Sequence, residues 1–275
     1  MRALVLLALL AAGTASAQPF NWSLPTSGST ISLSAERPLF DGPFRGVDLG
    51  PLASAWLFST TQAVGPVRLT GELPFAYGSA EPDFGGDDVG GFALGNAQVG
   101  AEADLLAAPV TVGGYVRLPT ATAGGDGGEV GALVGLFSDR DRPGLYIEDL
   151  VTVSAMVEAR PRVLAVPGLS FRLRAVPQLL IATDDFVLAD GSELLVGYAA
   201  QAFFSTGAAR VGGGLSGASI VTEDVDDRHE VSLGVLADAG LGATRVGVVG
   251  RLPVAGGASD VVNGVIGLRL TYGVD

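Results

Sequence analysis

The chain predicts an all-β fold, a transmembrane antiparallel up-and-down β-barrel of about twelve strands, on three observations. Apolar and polar side chains alternate with a two-residue period from about Thr30 to Tyr272. An export signal precedes that region. The connections between alternating segments are short and long by turns, as in barrels that make tight turns at one membrane face and long loops at the other.

The signal is read in residues 1–17, MRALVLLALLAAGTASA. Arg2 supplies the positive charge, Ala3 to Ala12 the apolar run, and Ala15, Ser16 and Ala17 the small-residue cleavage pattern. Residues 18–275 are then expected to form one barrel in the outer membrane of a Gram-negative bacterium, surrounded by outer-membrane lipid and monomeric. The apolar run is too short for a spanning helix, and no later stretch approaches the roughly 18 uninterrupted apolar residues such a helix needs. A membrane-spanning reading therefore requires strands.

Composition narrows the chemistry. The chain has no cysteine, which excludes disulfides, thiolate metal sites, a cysteine nucleophile and lipidation through cysteine. All 16 basic residues are Arg, and 29 acids bring the net charge to −13, which disfavours nucleic-acid binding. No cofactor is expected.

The alternation is clearest in GLSFRLRAVPQLLIA, from Gly168 to Ala182. Leu169, Phe171, Leu173, Ala175, Leu179 and Ile181 share one face, and Ser170, Arg172, Arg174 and Gln178 the other. The same reading places strands at 29–37, 47–60, 66–77, 91–104, 109–120, 144–158, 168–182, 193–206, 209–222, 228–240, 242–254 and 260–273. Several exceed the roughly 5–6 residues usual in globular sheets. The long connections, Ala121 to Pro143 among them, are expected outside the cell. Within that one, Glu129 to Ser138 reads as a strand extension or an extra strand; as a full strand it would displace Thr30 to Arg37. A soluble barrel or sandwich would show the same period with its apolar face turned inward, but its strands would be shorter and its connections would not alternate in length.

Two blocks add a resemblance. Gly95 and Asn96 open one strand, Gly100 and Glu102 sit within it, and Leu118, Pro119 and Thr120 close the next. This hairpin of about 35 residues resembles that of a bacterial outer-membrane barrel family named for transporters of the phenol meta-degradation pathway, with looser kinship to fatty-acid and aromatic-hydrocarbon channels. The resemblance implies an outer-membrane barrel. The end departs from the usual barrel pattern of a terminal aromatic, since Gly273, Val274 and Asp275 follow Tyr272.

The polar face carries Arg68, Glu72, Glu102, Asp104, Arg117, Glu158, Arg172, Arg174, Gln178, Asp238, Arg245, Arg251 and Arg269, the expected lumen lining. Such a wall conducts small solutes, or its charges pair across strands and fill the interior. Arg172 and Arg174 are the best local contact for an anion; their alternative role is salt-bridging to Glu158 or Glu193. The expected outer loops collect Asp83, Asp87, Asp88, Asp126, Glu129, Asp139, Asp141, Asp184, Asp185, Glu223, Asp224, Asp226 and Asp227, read as a solvated acidic rim with no dedicated metal site. His229, the sole histidine, lies on the apolar-facing side at a strand end. It matches only part of a rim protease or hydrolase site, because no second acidic pair and no Gly-x-Ser-x-Gly elbow accompanies it. Trp56, Tyr77, Tyr146, Tyr198 and Tyr272 are placed at the headgroups. The chain is therefore read as a passive, non-enzymatic channel for small solutes or hydrophobic compounds. A structural or adhesive barrel with a sealed lumen is the alternative, and a hydrolase using His229 a remote one.

Overall fold

The computed structural model describes residues 28–274 apart from 41–46, 51, 83–88, 106–108, 143, 162–164, 185–187, 189–190 and 223–228. The signal and cleavage reading lies outside the described residues, as do Asp83, Asp87, Asp88, Asp185, Glu223, Asp224, Asp226 and Asp227 of the expected rim.

The strands run β1 (Ser29–Phe40), β2 (Val47–Leu49), β3 (Ser54–Val64), β4 (Val67–Pro82), β5 (Val89–Leu94), β6 (Gln98–Leu105), β7 (Val110–Arg117) and β8 (Thr122–Ala123). A helix, α1 (Gly125–Ser138), follows. Then come β9 (Leu150–Ala159), β10 (Leu169–Ala182), β11 (Ser192–Thr206), β12 (Ala209–Ile220), β13 (His229–Leu241), β14 (Thr244–Ala255) and β15 (Val262–Val274). β2 with β3, β5 with β6 and β7 with β8 each make one interrupted stave, so the sheet has twelve. Every pairing is antiparallel, and the barrel closes where β1 lies between β15 and β3, with Ser32 opposite both Thr271 and Ser59. Turns at one end are tight: Gly207 takes φ +55°, which lets Thr206 pair Ala209 across two residues.

The structure decides the direction that periodicity leaves open. Leu268 is 63% exposed and Val235 65%, whereas Glu158 is fully buried and Arg172 is 1% exposed. Among the described residues the exposed apolar side chains point outward and the charged face of the strands inward, the inverse of a soluble core and the requirement of a barrel in lipid.

Two expectations are corrected. Glu129 to Ser138 is neither a strand nor a strand extension but most of α1, and Ala121 to Pro143 is not simply an external loop, because α1 packs on β3, β4 and β5. Thr30 to Arg37, which a strand there would have displaced, is the middle of β1. The helix sequence GDGGEVGALVGLFS is rich in glycine, each costing ~1 kcal/mol of helix propensity relative to Ala, so tertiary seating must supply its stability. Glycine also provides the seat. A Cβ at Gly78 would stand 2.6 Å from the Val130 carbonyl oxygen, and one at Gly131 would stand 3.0 Å from the Ala93 nitrogen. Gly78→Val should unseat the helix, so that hydrogen exchange strips protection from the α1 amides while the strand amides keep theirs.

The wall is also interrupted. β5 and β6 part at Gly95–Ala97, and β7 ends at Arg117, opposite Thr152. β8 pairs only with β5, so beyond Arg117 the fifth and sixth staves share no ladder among the described residues. The expected continuous strands 91–104 and 109–120 break at these points, and the one expected at 144–158 begins at Leu150.

Candidate functional site: the crossed lumen

Inward side chains of successive staves must pair in a confined space, because a lone buried charge costs several kcal/mol. Three charge clusters sit toward the short-turn end. Arg68 holds Asp104 with both terminal nitrogens, at 2.5 and 2.9 Å, and donates from Nε to Glu102 at 3.3 Å. Glu102 also accepts from the Tyr115 hydroxyl, and Asp104 from Thr111, both at 2.6 Å. Glu158 accepts from the Nε of Arg172 and of Arg174 at 2.6 Å each, and from Arg160. Asp238 takes Arg210 at 3.0 Å and Arg245 at 2.8 Å. Arg269 faces inward from β15 between Ser34 and Gly247.

The fourth cluster joins the wall to the chain that follows α1. Arg142 donates to Glu72 of β4 at 2.7 Å and to Asp139 at 2.8 Å. Ser216 of β12 donates to Asp141 at 2.7 Å. Arg251 of β14 binds Glu36 of β1 and the Ser138 carbonyl, and Arg140 pairs with Glu230 of β13. Asp139–Arg142 therefore touches staves on opposite sides of the barrel and crosses its interior. Burial raises the Asp139 carboxyl, but Arg142 and Arg251 outweigh it and hold the group below the usual carboxylate value. Beside this crossing, Glu36, Ser138, Asp139, Arg142 and Tyr146 line a cavity of only about 20 Å³, room for one water.

Asn96 fixes the return of the chain at the break in the wall. Its Nδ2 donates to the carbonyls of Gly144 at 2.8 Å and Ile147 at 2.7 Å, its backbone N–H to Leu145 at 2.7 Å, and its Oδ1 accepts from Ala121 at 2.8 Å. It is fully buried.

The expected lining residues thus divide into groups. Arg68, Glu102 and Asp104 meet each other, Glu158 meets Arg172 and Arg174, Asp238 meets Arg245, and Glu72 and Arg251 hold the crossing chain. Arg117 and Gln178 lie on the wall between, each 1% exposed. Asp139 and Asp141 are corrected from rim to interior: their partners are Arg142 and Ser216. Tyr146 is corrected from the headgroup belt; its buried hydroxyl donates to the Phe75 carbonyl at 3.1 Å. Glu36, Asn96, Arg140, Arg142 and Ser216 were not singled out from the sequence as interior anchors. The four-residue spacing of Gly127, Gly131 and Gly135 ahead of Asp-Arg-Asp-Arg was the available signal, a helix with one small face followed by charges of both signs.

The fold is shared with a known channel. An outer membrane channel from Pseudomonas putida F1 superposes with a TM-score of 0.61 over 93% of this chain and 99% of that one, at 14% identity. LpxR from Salmonella typhimurium follows at 0.56, 90% and 100%, with 11% identity. The KdgM porin gives 0.51, 90% and 99%, with 9% identity. No family model matches the chain, and no curated protein matches it. At these identities the likeness is one of fold, a transmembrane β-barrel of the outer-membrane kind, and the link to phenol degradation is not carried over.

Proposed function

We propose that this protein is an outer-membrane channel of a Gram-negative bacterium, passing small solutes or hydrophobic compounds passively and non-enzymatically, with the chain Asp139–Arg142 as its axial constriction. The observation that carries the reading is the crossing itself: a polar, charge-lined interior is spanned by one segment held to the walls largely through side chains. The shared fold with the Pseudomonas channel and the KdgM porin supports it. His229 is exposed on the outer face, with Ser219 Oγ 2.8 Å from its Nδ1.

One observation favours a second reading, a sealed barrel whose role is structural: the crossing segment is tied to β4, β12 and β13 across the interior. Liposome swelling separates the two. Proteoliposomes carrying the folded barrel should swell in small sugars or amino acids faster than empty liposomes, and swelling at the empty-liposome rate for solutes of every size would favour the sealed barrel.

A further inference from the structure

We propose that Arg117, Thr152 and Gln178 form a binding site for a small carboxylate on the inner wall; the inference rests on the channel reading and names a substrate class for it. Arg117 points inward from the end of β7 and is 1% exposed. Its one hydrogen bond runs from Nη2 to the neutral Gln98 Oε1 at 3.1 Å, and its Nε has no hydrogen-bond partner. No carboxylate among the described residues forms an ion pair with it. Glu72 lies on the strand beyond Gln98; its Oε2 accepts from Arg142 at 2.7 Å, and its Oε1 has no hydrogen-bond partner.

On the side away from Glu72, two neighbours on β9 and β10 also carry unpartnered donors. Thr152 is directly opposite Arg117 in the β7–β9 ladder, 1% exposed, and its hydroxyl has no partner. Gln178 on β10 pairs with Ser154, one inward position nearer the short-turn end; it is 1% exposed and its Nε2 has no partner. The Gln178 amide packs over Gly197, where a Cβ would stand 3.2 Å from that nitrogen. Buried donors without acceptors are costly, and three of them on adjacent staves suit one ligand that brings two acceptor oxygens and one negative charge. A carboxylate takes a guanidinium and a hydroxyl in this way, and directly opposed cross-strand residues are close enough to share it. Arg174 and Arg172, lower on the same wall, extend the positive field toward the short-turn end.

The test is single-channel recording in planar bilayers with acetate as the probe, comparing wild type with Arg117→Gln. In wild type, millimolar acetate should reduce the chloride current, and a salt gradient should give an anion-selective reversal potential despite the net negative chain. In Arg117→Gln the apparent affinity for acetate should fall about tenfold or more, with the reversal potential moving toward cations. Equal acetate block and equal selectivity in both proteins would overturn the site and leave the channel standing. If neither wild type nor an opened variant conducts, the channel reading fails by itself. The site is then decided by gel-shift melting: a higher melting temperature in acetate than in equimolar chloride, seen in wild type and lost in Arg117→Gln, upholds it, and no difference overturns it.

Discussion

Glu158→Gln is expected to cost the barrel about 3–5 kcal/mol, the cost of removing one partner from a buried ion cluster. The glutamate is fully buried and is the shared acceptor of Arg160, Arg172 and Arg174. A neutral amide keeps the shape but removes the charge that offsets three guanidinium groups. Two of them come from one strand, β10, two residues apart, so the repulsion falls directly on the β9–β10 ladder, where Arg174 faces Glu158. The urea midpoint of the refolded barrel should drop, and Glu158→Gln combined with Arg174→Met should recover part of the loss. A midpoint within ~0.5 kcal/mol of wild type would show that the cluster contributes little net stability.

Arg142→Ala is expected to release the crossing segment while leaving the barrel closed. The change strips Glu72, 4% exposed, and Asp139 of a shared guanidinium, again at about 3–5 kcal/mol. Here the cost falls on the docking of Asp139–Arg142 and α1, because the twelve-stave ladder makes no use of Arg142. The variant should still migrate as a heat-modifiable band, yet carry a several-fold larger conductance.

Acid should act on the same contact. The Asp139 pKa is lowered in the folded protein, so its contribution is fully present above the unfolded carboxylate value and is lost as pH falls through the folded one. Conductance should rise as acid protonates the carboxylates that hold the crossing, and a conductance unchanged down to about pH 2 would contradict this.

The barrel was legible in the sequence because side-chain period and connection length are imposed by lipid on every stave. Phe171, Leu173 and Leu179 against Arg172, Arg174 and Gln178 spell out one strand in full. The salt-bridging of Arg172 and Arg174 to Glu158 was also legible, since those positions lie on like faces of adjacent strands. The crossing was not. GEVGALVGLFS is apolar with glycines on one side, and a short apolar run does not declare helix or strand by periodicity. The acids after it look like any solvated loop acids, and only the fold brings Glu36, Glu72, Ser216 and Arg251 to meet that segment. Asn96 was noticed as part of a strand opening, but its four hydrogen bonds connect partners 25 to 51 positions apart, beyond the reach of local pattern.

Whether the crossing segment controls the axial path is tested most directly by single-channel conductance of wild type and Arg142→Ala in the same planar bilayer. A small wild-type conductance that rises several-fold in the variant, with the gel shift retained, is the predicted result. Equal conductance in two equally folded proteins would contradict it.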